Sequence, residues 1–436
     1  PKRYRMNNKT TLFLFLISSL LVSNICFSRG VFSVRHLQRL NHPVNTKVKD
    51  QSINLTLEGK REKRKKWDGF YSLDARLHPG QKNNTLVSFS EFYIQRNFKN
   101  ASLTAGRKII DWNPSDKFWG LGILNANRGF SYMDFNRDGI NALHFKMRKG
   151  AFGLQVFASP IHIPQVNPTF KIYDRQVTAA NEWSALPFKE VNFNGTSIPL
   201  FFELESPNLN EFLFNTSVGV NTAYYWNSGK AQIYGTYKPE NLPRVVATGI
   251  YDPNTEAAEI KAAAFSNHHL VWGGNVTQKI KSVKLVAGVI VDHPDVGKME
   301  SFEFEAIKIV PTYKRRTYAH ASFNLAQRYY NLSLNYMQTF EGPTGVGNAF
   351  SKKPLWKQAI GAKIKYAVTS KFHIMTFAKY DLSLKDSLMA LYMDYNLTKH
   401  LNINLGIETV DAPGSLSFWS PFKTNDSIST ELRYKF

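Results

Sequence analysis

From Gly69 to the carboxyl terminus the hydrophobic positions recur every second residue in short runs, and no stretch keeps helical i, i+3, i+4, i+7 spacing over three turns. The last ten residues show the pattern best. Ile428, Thr430, Leu432, Tyr434 and Phe436 fall on one side of an extended segment, and Ser429, Glu431, Arg433 and Lys435 fall on the other. Leu401, Ile403, Leu405 and Ile407 alternate with Asn402, Asn404, Gly406 and Glu408 in the same way, as do Tyr330, Leu332, Leu334 and Tyr336 with Asn331, Ser333 and Asn335. The pattern predicts strands over 69–78, 86–96, 101–110, 139–148, 151–159, 215–226, 230–238, 244–251, 258–266, 269–280, 283–292, 314–326, 329–340, 356–368, 371–381, 387–397, 401–410 and 426–436.

Connections between these strands alternate in length. Tight ones fall at 98–100, 149–150, 227–229, 281–282, 369–370 and 399–400, and long ones near 111–138, 160–214, 293–313, 341–355 and 411–425. Short turns at one end and long loops at the other, with aromatic residues at strand ends, are the marks of an all-β transmembrane antiparallel barrel with long extracellular loops. The expected count is eighteen. Strands 86–96 and 258–266 alternate poorly, and losing one hairpin leaves sixteen. A soluble sandwich alternates too, with its apolar faces turned inward. Period alone does not tell inside from outside, so the leader, the terminal Phe436 and the loop asymmetry carry that choice.

Residues 1–28 read as a secretory signal peptide with a few upstream residues. Met6 is the better start, Leu12 to Val22 form an apolar run short for a membrane span, and Cys26-Phe27-Ser28 offers a cleavage site. Cys26 is the one cysteine, so a processed chain would carry no thiol for disulfides, metal or nucleophilic attack. Residues 29–66 read as a basic flexible tail ending in Lys60-Arg-Glu-Lys-Arg-Lys-Lys66, and residues 67–436 as the barrel.

Net charge is +22, which on composition alone suggests nucleic acid. Its placement argues otherwise. Residues 1–66 hold 15 Lys+Arg against 3 Asp+Glu, so more than half of the excess lies outside the expected barrel. No nucleic-acid partner is expected. The basic run could meet RNA or anionic headgroups, and a solvated linker is favoured because such charge blocks are usually unstructured.

In the expected register the lumen receives Arg76, His144, Lys146, Arg148, Lys279, Lys284, Arg316, Lys357, Lys363, Lys365, Lys379, Arg433 and Lys435 against Asp68, Asp74, Glu91, Asp292, Asp381, Asp394, Glu408 and Glu431. A modestly positive interior concentrates anions and repels cations. Lys357, Lys363 and Lys365 form the densest cationic ladder, with Arg316 and Lys379 on flanking hairpins. The alternative is charge paired across the lumen merely to hydrate the wall. Connection 160–214 carries Phe170, Trp183, Phe188, Phe193, Phe201 and Phe202, so it packs against something. Folded inward, it would set a constriction lined by Lys171, Arg175 and Lys189 with Glu182 and Glu190; folded outward, it would cap its neighbours.

The segment Ala105-Gly-Arg-Lys-Ile-Ile-Asp-Trp112, followed by Trp119-Gly120 and Asn127-Arg128-Gly129, resembles the alginate-export type of eighteen-stranded outer-membrane porins. That resemblance implies a basic lumen conducting an acidic polysaccharide or another anion. It covers about ten residues, with Lys108 and Asn113 departing from the Gln and Gly of the family pattern. On the residues alone, Arg107 and Asp111 read as a strand-end charge pair.

Chemistry on the solute is not expected. His268 and His269 adjoin and would point to opposite faces of a strand, Gly342-Pro-Thr-Gly-Val-Gly347 sits between strands rather than before a helix, and no nucleophile elbow or zinc-binding helix motif occurs. His320 beside Ser322 is the remaining hydrolase candidate. No catalytic group, metal or cofactor is assigned. The expected protein is a bacterial outer-membrane channel passing anionic or polar solutes by diffusion, in contact with membrane lipids and lipopolysaccharide and assembled through recognition of Phe436 by the barrel-assembly machinery. The alternatives are a surface-adhesion or structural protein with a plugged barrel and, less favoured, a barrel hydrolase.

Overall fold

The computed structural model describes residues 29–40, 50–63, 67–78, 85–129, 131–133, 135–165, 170–179, 183, 189–193, 195–205, 209–295, 302–304, 307–309, 314–341, 353–414 and 417–436. Residues 1–28, where a signal peptide is expected, and the glycine-rich segment 342–347 lie outside them. Eighteen strands form one closed antiparallel sheet. In chain order they are β1 (Arg29–Arg39), β2 (Asp50–Lys63), β3 (Trp67–Leu77), β4 (Thr85–Asn97), β5 (Ala101–Lys108), β6 (Ile140–Lys149), β7 (Phe152–Ser159), β8 (Ser217–Trp226), β9 (Gly229–Pro239), β10 (His268–Ile280), β11 (Val283–Pro294), β12 (Arg316–Ala326), β13 (Tyr330–Glu341), β14 (Gln358–Ala367), β15 (Phe372–Asp381), β16 (Ser387–Asn396), β17 (Leu401–Asp411) and β18 (Ser427–Lys435). Each pairs with the next, and β18 closes on β1 from Val31↔Lys435 to Arg39↔Ser427. Closure satisfies the backbone donors and acceptors that an open edge would leave bare in hydrocarbon.

Burial tells inside from outside. Ile428, Leu432, Tyr434 and Phe436 are 41–54% exposed while Ser427 and Ser429 are 2% exposed. On β17, Ile403, Leu405 and Ile407 are exposed and Asn402, Asn404 and Glu408 are buried. A sandwich would show the reverse. The apolar face therefore lies outside, as a lipid-facing wall requires. Aromatic side chains ring the short-turn end, with Trp67, Phe152, Trp226, Tyr330, Tyr366 and Tyr434 all exposed there.

The strand number agrees with expectation, but its composition does not. Residues 29–66 are not a tail: β1 and β2 are staves, paired from Arg29↔Glu58 to Leu37↔Asp50. The alternation of Ile53, Leu55 and Leu57 with Ser52, Asn54, Thr56 and Glu58 carries β2, whose backbone pairs with β3 as far as Lys63↔Trp67; residues 64–66 of the basic run lie outside the described residues. Conversely, Arg244–Asp252 and Ala257–Phe265 are not staves. They pair as a hairpin in a separate six-stranded sheet with Glu190–Phe193, Thr196–Leu204, Phe302–Phe304 and Ile307–Ile309, while β9 pairs directly with β10. Neighbouring Ala257 and Ala258 are both fully buried, which a wall with one lipid face and one wet face does not allow. Two staves gained and two lost keep the total at eighteen.

Candidate functional site

The connection 109–139, between β5 and β6, folds into the barrel. It opens with a short helix, α1 (Pro114–Trp119), capped by Asn113, whose side chain accepts from Ser115 N at 2.8 Å, and ended by Gly120 in the left-handed region at φ 69°. The Asp116 carboxylate accepts from Ile123 N at 3.0 Å and Leu124 N at 3.2 Å, which fixes the chain leaving the helix.

Inward side chains of the wall hold this plug. Trp112 donates through Nε1 to Gln155 on β7 at 2.8 Å, and its carbonyl accepts from Gln232 on β9 and from Asn275 on β10. Asn113 donates to the Tyr234 hydroxyl at 2.9 Å and lies 3.0 Å from Nε2 of His320. Across the lumen, Gly361 on β14 leaves room for the plug, because a Cβ there would sit 2.7 Å from the Phe118 ring. Trp119 then packs edge-on to Trp356 at 5.7 Å, and Trp356 lies 5.3 Å from Trp419 of the β17–β18 loop. Tyr132 meets Phe418, Phe422 and Trp183. These rings form a buried core inside the barrel with Phe157, Val271, Ile290, Met337 and Val410 from the wall. Lumenal apolar packing of this kind excludes water.

On the other side of the plug lies a cavity of about 1010 Å³, walled by β1 to β4 and β14 to β18. Its lining holds Arg35, Arg76, Lys117, Arg137, Lys363, Lys379, Arg433 and Lys435 against Glu58, Asp74, Glu91, Asp394 and Glu431. Several acids are already engaged. Arg433 bridges Asp394 at 3.2 Å and Glu431 at 2.7 Å, Thr56 donates to Asp74, and Ile109 N donates to Glu91. Deeper in the wall, Glu408 takes Arg35 at 3.0 Å and the Tyr392 hydroxyl at 2.6 Å. No carboxylate of a described residue lies within ion-pair distance of Lys117, Lys363 or Lys379. Lys379 is held instead against aromatic faces, with Nζ 5.3 Å from the Phe118 ring centre, 5.8 Å from Phe377 and 5.9 Å from Trp356.

Of the residues expected to line a passage, Arg76, Lys363, Lys379, Arg433 and Lys435 share this cavity. Lys365 lies on the same inward row of β14, nearer the short turns. Lys357 precedes β14 and donates its backbone N–H to Asp381, so it tops the ladder rather than joining the cavity. Lys146 and Lys284 stand on the plugged side, within electrostatic reach of Lys108 and Lys230. Arg148 stacks on Tyr225 at 4.3 Å. Arg316 pairs with Glu341 at 2.7 Å in a separate small pocket beyond the plug.

Of the two courses open to 160–214, inward as a constriction or outward as a cap, its described residues pack mostly on the separate sheet rather than in the lumen. Arg175 pairs with Glu259 on the extra-barrel sheet, Lys189 is exposed, and the Lys171 side chain lies outside the described residues. Long apolar loops need packing partners, and this one finds them chiefly in the 244–265 hairpin; Trp183 alone of its described aromatics joins the lumenal core. Lys117 went unnoticed because it sits on one helical turn too short to show a period. The Asn113-Pro114 start and the Gly120 stop were readable signals for that turn. Arg107 and Asp111 do not pair with each other either. Buried Arg107 bridges Asp138 at 2.9 Å, and Asp111 takes Arg137 at 2.8 Å, so both tie down the return of the plug. Ser322 and His320 make no mutual hydrogen bond; Ser322 takes Asn324, and His320 faces Asn113.

No family model and no curated protein matches the chain. Among solved structures it is similar to Pseudomonas aeruginosa OccK2 (OpdF), at 9% identity with 94% of this chain and 96% of that chain covered and a TM-score of 0.49. It is also similar to Salmonella typhi OmpF in complex with daunomycin, at 10% identity, 94% and 96% coverage and a TM-score of 0.44. A third is Wzi, an outer-membrane protein involved in group 1 capsule assembly in Escherichia coli and described as a carbohydrate-binding β-barrel, at 12% identity, 99% and 89% coverage and a TM-score of 0.47. At these values the likenesses carry no residue roles to this chain.

Proposed function

We propose that the protein is an outer-membrane channel of Gram-negative type whose plug narrows the lumen to one side, and that small anionic and polar solutes diffuse through the open half. The observation that carries this reading is the 1010 Å³ cavity, whose acids are largely paired while three of its lysines are not. Unpaired cations in a narrow wet space raise the local anion concentration without any chemistry on the solute. An acidic polysaccharide, the cargo implied by the resemblance at 105–129, gains no support from those residues beyond the barrel itself, since they build the plug.

A second reading is favoured by one observation, the aromatic core that fills one side of the lumen. It makes the barrel a closed platform for its extracellular sheet, with a surface or structural role. Planar bilayers separate the two. Discrete anion-biased conductance supports the channel, and silence from correctly folded protein supports the platform. Within the channel reading, Lys363→Glu with Lys365→Glu should move the reversal potential toward cations by several millivolts under a tenfold salt gradient; an unchanged potential would place these side chains off the conduction path.

A further inference from the structure

The unpaired lysines do not stand in a uniformly polar wall. Lys117 comes from the plug, Lys363 from β14 and Lys379 from β15, and Lys363 lies within electrostatic range of both others. The same lining holds Phe118, Met375 and Phe377, with Phe118 and Phe377 beside Lys379, and the neighbouring Tyr392 hydroxyl is committed to Glu408. The carboxamides that line the cavity, Asn54, Asn136 and Asn404, come from β2, β17 and the return of the plug rather than from these strands or α1. The acids of the cavity belong to β2, β3, β4, β16 and β18, and several are already committed to Arg433, Thr56 or Ile109 N.

We infer that this pole is a binding subsite for a carboxylate carried on an apolar ring, with the carboxylate between Lys117 and Lys363 and the ring against Phe118 and Phe377. The inference deepens the channel reading and borrows from it only the route by which the solute arrives. Two free ammonium groups supply charge-assisted hydrogen bonds to one anion, and Lys379 lies beside them against Phe118 and Phe377. The neighbouring shelf selects against sugar acids. Ring hydroxyls pressed onto phenylalanine and methionine lose water and gain no partner, whereas a benzene or cyclohexane ring gains from the same burial.

The test is calorimetric titration of the full chain, folded in detergent, with benzoate, benzyl alcohol, acetate and glucuronate. Benzoate should bind roughly tenfold or more tightly than each of the other three, because each comparison removes one part of the fit. Lys363→Gln and Lys117→Gln should each weaken benzoate by about tenfold, while Lys371→Gln, on an exposed turn, should bind it as the unsubstituted protein does. A shift in electrophoretic mobility on boiling reports folding, so a misfolded Gln variant is recognised and the Met variant of the same lysine, which also lacks the charge, is used instead. Benzyl alcohol or glucuronate binding as well as benzoate, or folded Gln variants that bind it unchanged, would overturn the subsite. Silent bilayers with benzoate binding intact would remove only the channel, and conductance with no benzoate preference would remove only the subsite.

Discussion

Strands β7, β9, β10 and β12 turn Gln155, Gln232, Asn275 and His320 toward the axis, whereas β1, β3, β16 and β18 turn Arg35, Arg76, Asp394 and Arg433. The outer faces of both sets are apolar, with Val156, Ile233 and Trp272 exposed on the first and Val34, Met389 and Leu432 on the second. Inside, the first set presents neutral hydrogen-bonding groups beside Phe157, Tyr234 and Val271, and a segment of backbone can dock there with its carbonyls satisfied. Charged groups cannot be buried so cheaply, because each must keep water or a close partner. At the level of the plug the half with amides and rings is therefore filled, and the half with ions holds the cavity, while Lys146 and Lys284 stand on the filled side nearer the short turns. The identity of inward residues, rather than strand order, decides where a lumen is open.

Excising the plug should break this contrast most completely. Replacing 112–137 by a short glycine–serine turn removes the only described segment that crosses from β5 to β14, and single-channel conductance should rise severalfold. An unchanged conductance would mean that current already bypasses the plug.

Less drastic is loss of one ring. Trp119 is 1% exposed among Trp356, Phe118 and its own loop, so Trp119→Ala should cost about 3–5 kcal/mol in the filled half. Denaturant midpoints of the refolded barrel measure it, and a loss below about 1 kcal/mol would show that the plug is not cooperative with the wall.

The smallest expected effect lies above the open half. Asp386, in the loop between β15 and β16, is fully buried, and burial pushes its carboxyl up to about 6, with Ser417 opposing and Asp381 and Asp411 adding to the rise. A raised acid favours the folded state while protonated, so its contribution is complete below about pH 4 and is lost as pH climbs through 6. Asp386→Asn should then stabilise the protein above pH 6 by on the order of 2 kcal/mol and change little at pH 4. Equal melting curves for the two proteins at pH 7.5 would refute this.

The wall itself was legible. Strands from β3 to β18 were read from period two within a few residues, apart from the 244–265 hairpin, and the lumenal face of β14, β15 and β18 placed Lys363, Lys379 and Arg433 where they stand. Two readings failed, each for its own reason. Alternation says that a strand has two unlike faces, but a barrel stave and a solvent-capped hairpin share that property, so the 244–265 hairpin was counted in. In 29–63 the charge run of Lys60–Lys66 outweighed the alternation before it.

Composition along the chain determined the architecture, because only a closed sheet can put apolar side chains into hydrocarbon without stranding backbone polar groups. Tertiary structure decided which connection enters the lumen. Both 109–139 and 160–214 are aromatic and long enough, and the choice rests on pairings far apart in sequence, Trp112 with Gln232 and Asn275, and Phe118 with Gly361. Such contacts depend on strand register summed around the whole barrel, which no local window contains.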